Sequence, residues 1–466
     1  MAGVPDPRLA LARAVATLSR LRGGGGTSAP GKLLMALDHN AIARLGSRLP
    51  RGSVLVSATN GKTTTAAMAA GILQRVDITL VHNRAGANMA GGIAAALLEA
   101  ARPHGEIAGE LGLFEVDELW LDTVAEQLQP TTVVLGNLFR DQLDRYGELE
   151  TIAARWAERL SGPRLILNAD DPTVADLGRD RPGTLYFGVD DDTVALPGMA
   201  HAADAKHCRR CGAAYVFDAV YLGHLGHYRC PNCGQLRPAP QVRATDVALE
   251  GVRSAAFTLH TADSAARVEL RLPGLYNVYN ALAAAALATA LGVGLQDVVA
   301  GLRQAAPAFG RAEEVTVSLN GDGSAAAVQR KLRILLVKNP AGANEVLRTL
   351  ALEPGEHDLL AVLNDNVADG RDVSWIWDAD FELLAPRIRR VHCSGTRAAE
   401  LALRLKYAGV ASANVAVQPD LAAALPAAAR DGAESGAALF AIPTYTAMLQ
   451  LRELLVARGE ADSAWR

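Results

Sequence analysis

The chain lacks the features that would place it in several large classes. No apolar run is long enough to span a bilayer. Its first residues carry charges and an early proline where a signal peptide would have an apolar core. The formal net charge over 466 residues is −4, which argues against nucleic-acid binding by bulk electrostatics. There are five cysteines, four of them in two paired spacings. That usage suits a reducing cytoplasm better than a disulfide scaffold. Lysine is absent between Lys62 and Lys206. What remains is a chain that is half hydrophobic, rich in alanine and arginine, and long enough for roughly two to four domains.

The lysine that precedes this gap stands in "VSATNGKTTTAAMAAGIL", residues 56–73. An apolar run enters a short polar turn with Gly61, and a helical pattern follows. A strand–turn–helix of this kind turns free N–H groups and the positive end of a helix dipole toward an anion. Thr59, Asn60, Gly61, Lys62, Thr63 and Thr64 are therefore expected to form a phosphate cradle for ATP. Lys62 would reach the terminal phosphates and Thr63 would ligate Mg2+. The plain alternative is a helix start capped by threonines.

From about residue 52 to 200, strand patterns alternate with helical ones: "SVLVSA", "ITLVHN", "LGLFEVD", "TTVVLGN" and "RLILNADD". That order implies an α/β fold with a parallel, doubly wound sheet and ligands at the carboxyl ends of its strands. Glu115 closes one strand pattern, with Asp117 and Glu118 beside it. Cys208, Cys211, Cys230 and Cys233 interrupt the pattern as two CxxC pairs, each followed by a glycine. Two such knuckles offer four thiolates to one tetrahedral Zn2+, with no position left open for catalysis. His207, His224 and His227 nearby are read as surface or supporting residues. A long alanine-rich helix, "PGLYNVYNALAAAALATALG", carries Asn277 and Asn280 on one face near its start.

The expected organisation is an N-terminal helical segment (1–50), a central domain (51–314) with the ribbon inserted at 205–238, and a C-terminal α/β domain (315–466). In the last part, Cys393 lacks the glycine-flanked elbow of a nucleophile, so it is read as a buried or partly buried thiol. "DGRDVSWIWDADFE" joins Trp375 and Trp377 to Asp369, Asp372, Asp378 and Asp380, a composition suited to a protein interface.

Five motifs, "TNGKTTT", "NLFRDQLDRYG", "NADDP", "GLYNVYNALAA" and "FGRAEE", occur in this order in the Mur ligase superfamily, which the chain resembles. "LLVKNPAGANEVL", the tryptophan-rich loop, "PTYTAMLQLRELL" and the ribbon narrow the resemblance to MurT-type synthetase subunits. The resemblance implies a Mur ligase-like central P-loop ATPase domain with the zinc ribbon inserted, plus a C-terminal Rossmann-like α/β domain. It also implies a reaction: ATP phosphorylates the α-carboxylate of D-glutamate in the lipid II stem peptide, and ammonia displaces the phosphate. The ammonia would come from a GatD-like class I glutamine amidotransferase, with the enzyme working in the cytoplasm at the inner face of the cytoplasmic membrane. Glu115 resembles the family's magnesium-binding glutamate. Asn277 and Asn280 resemble residues that approach the nucleotide, and Arg311 resembles an arginine that touches ATP from the domain junction. Asp378, or else Asp372, would orient the partner's catalytic histidine. The chain departs from the superfamily in three places. Ala58 stands where a glycine is usual, Gln142 where a metal-binding histidine is common, and the carbamylated lysine is missing. Ligation of an amino acid, as in Mur or folylpolyglutamate-type enzymes, is the alternative chemistry, and a non-catalytic scaffold is a third reading.

Overall fold

A computed structural model describes residues 6–21, 28–83, 87–141, 149–199, 203–306, 311–319, 328–433 and 437–461. Its first sheet is built from β1 (Ser53–Ser57), β2 (Leu80–His82), β3 (Leu111–Glu115), β4 (Thr132–Leu135), β5 (Arg164–Asn168) and β6 (Leu185–Val189). A hairpin, β7 (Val216–Leu222) and β8 (Leu225–Arg229), stands apart as its own two-stranded sheet. The first sheet then takes up β9 (Val242–Glu250), β10 (Ser254–His260) and β11 (Ala265–Leu270). Its order is β11-β10-β9-β6-β5-β4-β1-β3-β2. Every pairing from β2 across to β9 is parallel, and the β9–β10–β11 edge is antiparallel. Parallel strands must be covered on both faces, and every residue of β1, β3 and β4 is accordingly buried.

Strand order reverses around β1, which pairs with β3 on one side and β4 on the other. A crevice opens at such a switch point, outside the carboxyl ends of the strands. The turn that leaves β1 is the one carrying Gly61 and Lys62, and Glu115 ends β3 beside it.

The second sheet contains β12 (Arg311–Leu319), β13 (Val328–Leu335), β14 (His357–Val362), β15 (Ile388–Ser394), β16 (Val415–Val417) and β17 (Ala438–Pro443), in the order β12-β13-β17-β14-β15-β16. The expected boundary after Glu314 falls inside β12. The antiparallel register Arg311↔Leu335 and Glu314↔Arg333 commits residues 311–314 to the C-terminal sheet.

The N-terminal helices Pro7–Leu21, Ala29–Leu37 and Ala41–Gly46 pack into the first sheet's own core. Leu9, Leu34, Ile42 and Leu45 share one apolar cluster with Leu55, Ile93, Leu97 and Phe114. The helix 29–37 lies so close to helix Ala90–Ala100 that a Cβ on Gly31 would sit 1.9 Å from the carbonyl oxygen of Gly91. Backbone cannot yield as a side chain would, so Gly31→Val should separate the two helices. The expected loss is about 2 kcal/mol of stability, read as a lower midpoint in denaturant titration. An unchanged midpoint would mean that this helix is not part of the core.

Candidate functional site

Gly61 adopts φ +90°, a conformation that favours glycine. A Cβ there would also lie 2.0 Å from Asn280 Oδ1. The asparagine is held in turn: its Nδ2 donates to Asn277 Oδ1 at 3.0 Å, and Asn277 Nδ2 donates to the Pro273 carbonyl at 2.7 Å. Thr65 Oγ1 donates to Asn280 Oδ1 at 3.3 Å. Asn277 and Asn280 thus brace the cradle from the helix Leu275–Ala290. Ala58 is not in the left-handed region, so no strain attaches to it. Its methyl would stand 3.0 Å from a Cβ on Gly136, so the small residue of the pair sits on β4's side.

Lys62 begins the helix Lys62–Arg75 and is only 7% exposed. Its Nζ donates to the Ala58 carbonyl and to Glu118 Oε2, both at 3.0 Å. Burial alone would lower its affinity for a proton, but Glu118, Asp117 and Glu115 outweigh burial and hold the ammonium above the ordinary lysine range. Burial likewise works to raise Glu118, yet Lys62 and Lys338 hold its carboxyl below the ordinary range. Thr63 Oγ1 donates to Glu115 Oε1 at 2.9 Å. The Glu115 backbone is gripped by Asn83, which accepts from its N–H and donates to its carbonyl, both at 2.9 Å. A threonine hydroxyl and a carboxylate meeting beside a glycine cradle are the hard oxygen donors that magnesium prefers.

The loop after β4 is fixed at successive residues. Asn137 exchanges two 2.9 Å hydrogen bonds with the Asn60 backbone. The Leu138 N–H donates to Asp171 Oδ2 at 2.9 Å, that of Phe139 to Thr59 Oγ1 at 3.0 Å, and that of Arg140 to Asp204 Oδ2 at 2.9 Å. The Thr59 hydroxyl is therefore engaged in clasping this loop. Thr64 is buried behind the cradle. The Asn60 side chain exchanges hydrogen bonds of 3.2 and 3.0 Å with Asn339 of the C-terminal domain. The neighbouring Lys338 Nζ pairs with Asp141 Oδ2.

Lys338, Asn339, Asn83, Asp171 and Asp204 were not assigned roles from the sequence. "VKNPAG" did carry a signal. Asn339 caps a helix through Gly342 N–H, with Pro340 at the first helical position. Its reach to Asn60, far off in the chain, had none. The Arg311 backbone starts β12, but its side chain and Gln142 lie outside the described residues.

The tryptophan-rich loop is a short helical turn, Ser374–Asp378. Trp377 is 49% exposed and packs edge-on against Tyr407. Asp378 is half-exposed, and its Oδ2 lies 3.5 Å from Arg140 NH2. Asp372 is exposed and accepts the Ser374 N–H at 2.8 Å, a local turn bond. Cys393 is fully buried, and burial pushes its thiol up to about 12, which suits a packing role.

In the ribbon, the four Sγ atoms of Cys208, Cys211, Cys230 and Cys233 all lie within 4.8 Å of one another. Gly212 and Gly234 take φ of +77° and +75°, which closes the two knuckles. The cluster has the ligand number, chemistry and spacing of a four-thiolate metal site. His207 is exposed. His227 lies 3.4 Å from Asp190. Of the surface and supporting roles expected, His224 takes the supporting one: it is fully buried, with its ring 4.6 Å from that of Phe139 and its Nε2 3.4 Å from Asp171. Among the described residues, no helix is long and apolar enough to cross a membrane.

The sequence matches the Mur ligase middle domain over residues 56–214 and the MurT ligase C-terminal family over residues 336–448. It is 34% identical over 451 residues, 96% of each chain, to the lipid II isoglutaminyl synthase (glutamine-hydrolyzing) subunit MurT of Staphylococcus aureus. Identity to the same-named subunit of Streptococcus pneumoniae is 32%, over 95% of this chain and 94% of that one. Among solved structures, a pseudomurein peptide ligase type C from Methanothermus fervidus shares the fold, with a TM-score of 0.64 at 23% identity over 88% of this chain and 79% of that one. With a P-loop at the switch point of its first sheet, a four-cysteine ribbon and full-length likeness to two MurT subunits, the chain belongs to the MurT family of the Mur ligase superfamily.

Proposed function

We propose that this chain is the synthetase subunit of a glutamine-dependent amidating enzyme, which converts the D-glutamate α-carboxylate of the lipid II stem peptide to D-isoglutamine. The observation that carries the reading is the meeting of Lys62, Thr63 and Glu115 at the head of a helix whose cradle only glycine can complete. A carboxylate resists attack by an amine until one of its oxygens becomes a leaving group. Transfer of the γ-phosphoryl group of ATP makes that oxygen a phosphate, and ammonia then displaces it. Charge gathers on phosphoryl oxygens as the group transfers, and a preorganised ammonium and backbone N–H groups offset it. Lys62 supplies the ammonium, and the turn through Gly61 aims the N–H groups. Thr63 and Glu115 would hold a magnesium ion, which supplies further charge neutralisation when bound. The Asn277–Asn280 pair keeps the glycine turn in place, and Arg311 would contact the nucleotide from the domain junction.

Zn2+ would occupy the four-cysteine cluster as a structural ion. The C-terminal domain would carry a GatD-like class I glutaminase, with Asp378 orienting the partner's histidine and Asp372 the second choice. The lipid tail of the substrate would keep the work at the inner face of the cytoplasmic membrane. An amino-acid ligase would use the same first step with a different acceptor, so the product made with ammonia separates the two chemistries.

Because Lys62 is buried, the informative substitution is Lys62→Gln, which keeps a donor for Glu118. It should remove amidation with glutamine and with free ammonium alike, and lower the melting temperature because Glu118 loses its buried counter-charge. Near-normal turnover would overturn the cradle assignment.

Purified protein should contain about one zinc per chain, and Cys230→Ser should release it. Metal-free protein from anaerobic purification would count against the ribbon site.

Asp378→Asn should cut the partner's glutamine hydrolysis by up to ~10⁴-fold, the loss seen when a triad carboxylate is neutralised. Added ammonium should restore amidation in that variant, and Asp372→Asn decides between the two aspartates. Should neither variant selectively impair glutamine-dependent turnover, the shared triad fails.

A further inference from the structure

Asp141 is 4% exposed. One of its oxygens, Oδ2, is paired with Lys338 Nζ. The other, Oδ1, has no hydrogen-bond partner among the described residues. Leaving a buried polar atom unsatisfied costs about 1–3 kcal/mol, so an oxygen left without a partner beside the cradle calls for an explanation, and a catalytic role is one. The neighbouring carboxylates are committed elsewhere: Glu118 to Lys62, and Glu115 to Thr63. Arg140, next in the chain, reaches Asp378 on the loop assigned to the glutaminase partner.

We propose that Asp141 is a catalytic residue of the amidation step, the carboxylate that takes a proton from the attacking ammonia nitrogen. The inference rests on the amidation reading above. The ammonia lone pair forms the C–N bond at the acyl-phosphate carbonyl carbon, and the carbonyl π pair moves onto oxygen. Asp141 Oδ1 accepts one proton from the positively charged nitrogen. The oxygen pair then reforms the carbonyl, the C–O bond to phosphate breaks, and inorganic phosphate leaves with the electron pair. The amide remains, and the proton on Asp141 passes to phosphate or water. Lys338 holds the carboxylate through Oδ2 and leaves Oδ1 available. Burial, the largest influence, holds Asp141 above the ordinary carboxylate range in spite of Lys338 and Lys62, with Glu118 adding to the rise, so the group is suited to accept a proton.

The test separates the two half-reactions in the full complex with lipid II. Positional isotope exchange in β,γ-bridge-labelled ATP, run without ammonia, reads reversible acyl-phosphate formation. Asp141→Asn should continue to exchange, while ammonium-dependent amidation falls by ~100-fold or more. Hydroxylamine, whose adduct loses its proton without help, should largely restore turnover as the hydroxamate. Asp141→Glu, which keeps the charge for Lys338, should recover part of the ammonium rate and serves if the asparagine variant does not fold. Unchanged amidation in Asp141→Asn, exchange lost in parallel with amidation, or a glutamate variant no better than asparagine would each overturn the assignment. Absence of both exchange and amidation in the unaltered enzyme would instead sink the amidation reading, and this assignment with it.

Discussion

A lysine ammonium buried at the head of a helix is the constraint on which the site depends. The helix dipole repels it there, and burial strips it of water. It stays charged because the chain delivers Glu115, Asp117 and Glu118 together from the end of β3. The parallel register Val56↔Glu115 sets that end directly beside the end of β1. Sheet order and charge balance are thus one problem with one solution. Breaking a buried pair such as Lys62–Glu118 by removing one partner costs about 3–5 kcal/mol, so this lysine is also part of the fold.

The second consequence is that the cradle is not complete within the central domain. Asn60 faces Asn339, and Asp141 faces Lys338. Arg348 of the C-terminal domain donates to the carbonyls of Tyr221 and Val194 at 2.7 and 2.8 Å. Asp204, just ahead of the inserted ribbon, holds the Arg140 backbone, and the ribbon itself joins in through His224 against Phe139. A loop held at successive residues by side chains from four parts of the chain has little freedom left, which suits a site that must align a phosphoryl group and a small nucleophile.

The sequence made the parallel sheet, the glycine turn and the four-cysteine cluster legible because each is a local pattern. Strand–turn–helix, CxxC-Gly and an i,i+3 asparagine pair carry their geometry with them. Gly61 was readable as a turn residue, while its contact with Asn280 was not, since that depends on how a distant helix packs. Lys338 was hidden for the same reason: a lysine after an apolar strand is ordinary until the second domain sets it against Asp141. The boundary near 311 was missed because "RAEE" reads as the close of one motif, whereas its partner strand lies beyond it in the sequence. Whether His224 was a surface or a supporting residue was open in the sequence, because it depends on the hairpin folding back onto the loop after β4.

The most direct measurement is to follow the amide nitrogen. The chain would be co-purified with its glutaminase partner and supplied with lipid II, ATP and amide-15N glutamine, and the product stem peptide fragmented by mass spectrometry. The account predicts the label in the α-amide of the second stem residue, formed with ATP consumption. ATP hydrolysis that leaves the label as free ammonium, or a product extended by an amino acid, would contradict it.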